Sequence, residues 1–313
     1  MAKDNTEKDT GIYREIALGQ IPRILGLGDR KKYSVTSGCF DRYYWHYKIT
    51  DFPNARFQEA ALLLALIYKK EFMGNIFYNK PAVLDWALQA VSFWLKIQRG
   101  NGSFDEVYPR ENSFIATAFS AAAATEAVLL LDKDILPSRK LIKTGDWLAK
   151  NNNEDVGNQM AASALALYNI FLITSLEKYK IASEEKIKKI LASQSGEGFF
   201  PEYGSYDVGY MSICVSYLAQ YARKNQSPEL DNALVRAASF IESKVRPDGS
   251  YDWAEMSRQT QYIYPFGLGL IKSGVLDSHV RGLSDGAVLN PAWMDDRFCL
   301  PLTIDYLRTA MEC

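Results

Sequence analysis

Histidine and cysteine are scarce in this chain, and the shortage removes most metal chemistry at once. Two histidines occur in 313 residues, and the four cysteines, Cys39, Cys214, Cys299 and Cys313, are far apart with no CxxC pair. No HExxH, no histidine pair at ligand spacing and no EF-hand loop is present, so no metal is expected. Scattered thiols read as free cysteines of a reducing compartment. Gly-rich phosphate loops are missing too. GLGDR, at Gly26–Arg30, lacks a preceding strand, and neither a P-loop nor GxSxG occurs, so no nucleotide cofactor is predicted. Charge of one sign is absent: 36 basic against 37 acidic residues leave a net charge of −1, which argues against nucleic acid as a partner. The longest apolar run, Ala61–Tyr68, is far shorter than a membrane span. MAKDNTEKDTG has no basic stretch leading into an apolar core, as a signal peptide would, and the expected location is the cytoplasm.

No long stretch alternates with the period of a strand. Helix formers dominate instead, over Phe57–Tyr68, Pro81–Ile97, Ser113–Leu131, Gln159–Leu172, Ser212–Ala222 and Leu230–Ile241. FSAAAATEAVLLL is apolar on nearly every face, which predicts a helix enclosed by other helices.

The turns between these helices resemble one another. QRGNGSFDE (Gln98–Glu106) and KVRPDGSYDWAE (Lys244–Glu255) both run polar, Gly, Ser, aromatic, Asp; SQSGEGFFPEYGSYD (Ser193–Asp207) and KNNNEDVGNQ (Lys150–Gln159) are looser copies. Taking Gly102, Asn152, Gly198 and Gly249 as markers, the spacings are 50, 46 and 51 residues. Extension by one period reaches Thr50 and the stretch Asn290–Phe298. A period near 50 in an all-α chain predicts one helical hairpin per repeat. About six such hairpins form either an open solenoid or a ring; helices apolar on nearly every face favour the ring, an α/α toroid as a single domain over residues 1–313. Its junctions would share one end of the ring.

The Q…DGSF turn among helical repeats resembles the α/α-toroid families. These include the terpene cyclase and protein prenyltransferase group and the helical domains of heparinase II/III-type polysaccharide lyases. SFDEVYPRENSFIATAF, EYGSYDVGYMS and MSRQTQYIYPFG are similar to stretches of toroid proteins of carbohydrate metabolism. That resemblance implies a carbohydrate partner. LDKDIL (Leu131–Leu136) does not match the DxDD motif of polyprene cyclization, and two histidines do not assemble a prenyltransferase zinc set.

The junction residues supply candidates for such a site. CFDRYYWHYKITDFPNARFQE carries Arg42, Tyr44 and His46: aromatic platforms for sugar rings beside a cation. Asp105, Glu106, Arg110 and Glu111 exceed what helix capping requires, and Glu106 is the expected functional carboxylate. Glu202, Tyr203 and Asp207 precede a helix. Glu255, Arg258 and Tyr262 share a face if their segment is helical, and Asp295 precedes the last helix. Hydrolysis would use two carboxylates among Glu106, Glu202, Asp207 and Glu255. Elimination or epimerisation of a uronic acid would use Arg42 or Arg258 on the carboxylate and Tyr203, Tyr262 or His46 as base. The expected function is therefore a lyase or hydrolase of acidic oligosaccharide or polysaccharide. A non-catalytic glycan- or protein-binding repeat protein and an isoprenoid cyclase-like enzyme are the alternatives.

Overall fold

The computed structural model describes residues 11–132 and 138–313. Among them thirteen α-helices and three 3-10 turns account for the regular structure, with only isolated β-bridges beside them. The chain divides into two compact units. The first comprises Ile21–Asn152 and Ser163–Glu184; the second comprises the described residues up to Gln20, Asn153–Ala162 and Glu185–Cys313.

In the first unit, α1 (Gly11–Leu27, shared with the second) leads to the short α2 (Arg42–Trp45), then α3 (Ala60–Lys69), α4 (Pro81–Lys96), α5 (Phe114–Leu131) and α6 (Ser138–Lys150). Helix α5 is the FSAAAATEAVLLL segment. Ser113 caps its start through the Ala116 amide, Asp132 ends it in the left-handed region, and it is buried along most of its length. It packs on α3, itself almost wholly buried, and on the 3-10 turn Ala55–Glu59. Helix α4 begins at Pro81 and buries one face through Val83, Ala87, Ala90, Val91 and Trp94. Trp94 stacks on Phe104 at 4.9 Å and donates its indole N–H to the Ser120 hydroxyl, so its one polar atom is satisfied inside the core. Buried helices thus alternate along the chain with half-buried ones. Phe114–Leu131 is the one described helix long and apolar enough to cross a membrane, and most of it is covered by its neighbours.

Helices α7 (Gly157–Thr174) and α8 (Glu177–Ser193) run through both units. The second unit continues with α9 (Val208–Ala222), α10 (Pro228–Lys244), α11 (Pro265–Leu270), α12 (Val275–Ser284) and α13 (Asp296–Glu312). Helix α9 packs on α10 and α11, and α11 packs on α12 and α13. A Cβ on Gly267 would lie 2.4 Å from the Ser216 Cα, so α9 and α11 meet backbone to backbone. The first part of α1 joins this unit through Tyr13, whose hydroxyl meets His279 Nδ1 at 2.9 Å and whose ring packs on Tyr306.

The repeated turn has one physical construction. Gly102 sits at φ +100° with its Cα against the Lys143 carbonyl, where a Cβ would stand 2.1 Å away. Gly198 against Arg236, Gly249 against Ser278, and Gly38 against Gln89 repeat the contact. The aromatic that follows, Phe104, Phe200, Tyr251 or Phe40, points into the core. A glutamine ties the turn to a later helix: Gln98 to the Lys140 carbonyl on α6, Gln194 to the Ala233 carbonyl on α10, Gln58 to the Ala90 carbonyl on α4. The first copy of this turn is centred on Gly38, earlier than the Thr50 that the period of 50 indicates.

Candidate functional site

The acidic residues of the junctions lie where backbone amides need acceptors. Asp105 takes the Arg110 and Asn112 amides at 2.9 and 3.1 Å, with Arg99 Nε at 3.6 Å. Both amides belong to residues at positive φ, so the carboxylate closes a tight loop. Glu111 accepts the Glu106 and Val107 amides in the same loop. Glu106 itself is buried, and the Ala55 amide donates to the neighbouring Asp105 carbonyl. Arg110 is exposed at the loop surface.

Glu202 is fully enclosed. One oxygen accepts the Asn158 amide and the other the Asn158 side chain, both at 2.8 Å, which caps the first turn of α7. Burial pushes its carboxyl well above the usual range, aided by Asp207 and opposed by the Asn158 bonds. Asp207 is equally enclosed. It caps α9 through the Tyr210 amide and also accepts the Arg258 and Thr260 amides and the Thr260 hydroxyl. Four donors on one carboxylate fasten the 258–260 loop to the start of α9.

That loop carries the exposed part of the junction. The Arg258 guanidinium lies 4.6 Å from the centre of the Tyr203 ring and 5.8 Å from that of Tyr210. Its side chain also hydrogen-bonds the Tyr210 hydroxyl. Burial works against the Arg258 charge, but Tyr210, Tyr203 and Asp207 outweigh it and raise its pKa. Tyr203 is held at φ +58° with its amide on the Asp155 carbonyl, remains 44% exposed, and Gln159 hydrogen-bonds its hydroxyl. Burial and Tyr210 push the Tyr203 phenol up, while Arg258 pulls it down less strongly. The second unit thus brings Glu202, Tyr203, Asp207 and Arg258 together, two as buried fasteners and two as an exposed shelf. Tyr210 and Gln159 complete it.

Glu255 and Tyr262 do not join Arg258 on a helical face. Only Trp253–Glu255 forms a 3-10 turn, the following residues are extended or irregular, and Glu255 forms no ion pair with Arg258. Tyr262 is buried against Tyr264 and Phe298. Asp295 caps α13 through the Phe298 amide. On the other flank of the same loop, Trp253 and Trp293 border a cleft of about 260 Å³ with Ser250 and Gln261.

In the first unit, Asp41 caps α2 and takes the Asn54 amide, and burial raises its pKa. Arg42 donates to the Gly26 carbonyl and lies 5.2 Å from the Tyr47 ring centre. Tyr44 and His46 line a cavity of about 500 Å³ together with Lys31, Lys48 and Trp45. Sequence reasoning passed over both lysines, because a lysine in a polar loop carries no spacing signal. Among the described residues no three potential ligands gather to hold a metal ion, and the four cysteines are free. No protein-family model and no curated protein matches the chain.

Proposed function

We propose that the chain is an α/α-toroid protein that binds an acidic carbohydrate on the Tyr203–Tyr210–Arg258 shelf and acts on it by elimination beside the sugar carboxylate. The observation that carries this reading is the exposed guanidinium lying 4.6 Å from one phenol ring and 5.8 Å from a second. Support for the toroid comes from the alternation of buried and half-buried helices, the repeated glycine turn, and the packing of the first helix against α12 and α13. A guanidinium fork matches a carboxylate and makes the adjacent C–H more acidic. The C5 proton then leaves to a tyrosine oxygen, its electron pair forms the C4–C5 double bond, the C4–O4 bond breaks, and O4 receives a proton. Tyr203, its pKa raised, stays protonated near neutrality and suits the donor to O4. Tyr210, whose hydroxyl Arg258 hydrogen-bonds, is the proposed acceptor of the C5 proton.

Hydrolysis finds less support. It requires two carboxylates that reach the substrate, and Glu202 and Asp207 are fully enclosed with their oxygens on amides. The Trp253–Trp293 cleft, a stacking surface for a neighbouring sugar ring, favours binding without catalysis as the second reading. Incubation with uronic-acid oligosaccharides separates the two. Elimination produces ultraviolet absorbance from the conjugated double bond, lost in Arg258→Ala and reduced roughly 10²–10⁴-fold in Tyr203→Phe, the range for a general acid. Binding with no such absorbance leaves only the binding module; no binding of any acidic glycan removes both.

A further inference from the structure

We propose that the 500 Å³ cavity beside α2 is a binding site for a phosphorylated sugar, with the phosphate between Lys31 and Lys48 and the ring against Tyr44 and Trp45. The walls are built rather than incidental. The Gly38 amide on the Asp29 carbonyl and the Asp29 amide on the Cys39 carbonyl close the loop that carries Lys31. Asp29 lines the cavity, and its two oxygens are engaged by the loop, one by the Lys31 amide and the other by the Thr36 hydroxyl, while its charge remains. On the facing side the Trp45 indole N–H donates to the Leu27 carbonyl at 2.7 Å, which fixes the plane of that ring. Lys48 is held at φ +54° between two backbone bonds, Tyr47 to Arg42 and Ile49 to Tyr43, a conformation that a lysine rarely adopts.

Charge decides the ligand class. Lys31 and Lys48 form no ion pair among the described residues, so the cavity holds two ammonium groups against the single Asp29 carboxylate, beside the His46 imidazole. Ammonium groups act as compact point charges suited to the tetrahedral oxygens of a phosphate, whereas planar carboxylates favour an arginine fork. Val35 is the one aliphatic side chain in the lining, which suits a hydroxylated ring and not an isoprenyl chain. This site is independent of the Arg258 shelf.

The test is calorimetric titration of the full chain with glucose 1-phosphate, glucose, glucuronate and inorganic phosphate. Glucose 1-phosphate should bind, glucose should not, and inorganic phosphate should bind more weakly, while glucuronate reports the Arg258 shelf. Lys31→Gln and Lys48→Gln should each weaken it about tenfold, the size of one charge-assisted hydrogen bond, with unchanged thermal melts because both side chains are exposed. Retention of uronate binding in these variants would locate the loss to this cavity. Equal affinity for glucose and glucose 1-phosphate, inorganic phosphate binding as tightly as the ester, or no effect of either lysine would overturn the proposal.

Discussion

A carboxylate that accepts four hydrogen bonds has little capacity left for a substrate, and Asp207 is in that position. The other residue-scale case of burial deciding chemistry is His279. It is enclosed between the Tyr13 and Tyr306 hydroxyls, and burial pushes its pKa down to about 3 from the ordinary 6.5. A depressed histidine contributes stability that is fully present above pH 6.5 and is lost as pH falls toward 3. The stability advantage of the natural chain over His279→Asn should therefore shrink between pH 7 and 5 in denaturant melts. Asp305 works in the opposite sense. Burial raises it from 3.8 to about 7, so its contribution is present below pH 4 and lost as pH rises through 7. An advantage over His279→Asn that stays constant would show that the histidine charges without cost. Such roles were not legible in the sequence. Asp207 meets its partners 51 and 53 residues away, and proximity at that separation is a product of the fold.

Elements were far more legible than sites. The Phe114–Leu131 helix follows from composition alone, and Pro81 and Ser113 marked their helix starts. Helix α8 (EKYKIASEEKIKKILAS) carries no clear apolar stripe, because its buried face mixes Tyr179, Ala182, Ile187 and Ile190 with Ser183 and Lys186 while Ile181 is exposed. The turns repeat visibly as Gly-Ser, but the physical unit is Gly-x-aromatic, which Gly38–Phe40 also satisfies with no serine after its glycine to mark it. That distinction is testable within GNGSF. Gly102→Ala drives a Cβ into the Lys143 carbonyl at positive φ, and should cost about 2–5 kcal/mol from strain and overpacking together. Gly100→Ala meets open space and should change the thermal midpoint little. Comparable losses from both would mean that the glycine contact does not hold the hairpins in register.

At the scale of the whole molecule, the repeat period carries the toroid reading, and residue chemistry carries the carbohydrate reading. A compact closed ring of this length should show a radius of gyration of about 20 Å in solution scattering, and an open solenoid a clearly larger one. The sequence reached the period but not the sorting of polar residues into fasteners and ligand-facing groups. Two carboxylates closed loops, and the exposed guanidinium and phenols were left at the surface. The most direct measurement is a calorimetric titration of the natural chain and Arg258→Gln with a uronic-acid oligosaccharide and with its methyl ester. The natural chain should bind the acid and not the ester, and the variant should bind neither. Equal binding of acid and ester, or full retention by Arg258→Gln, would contradict the account.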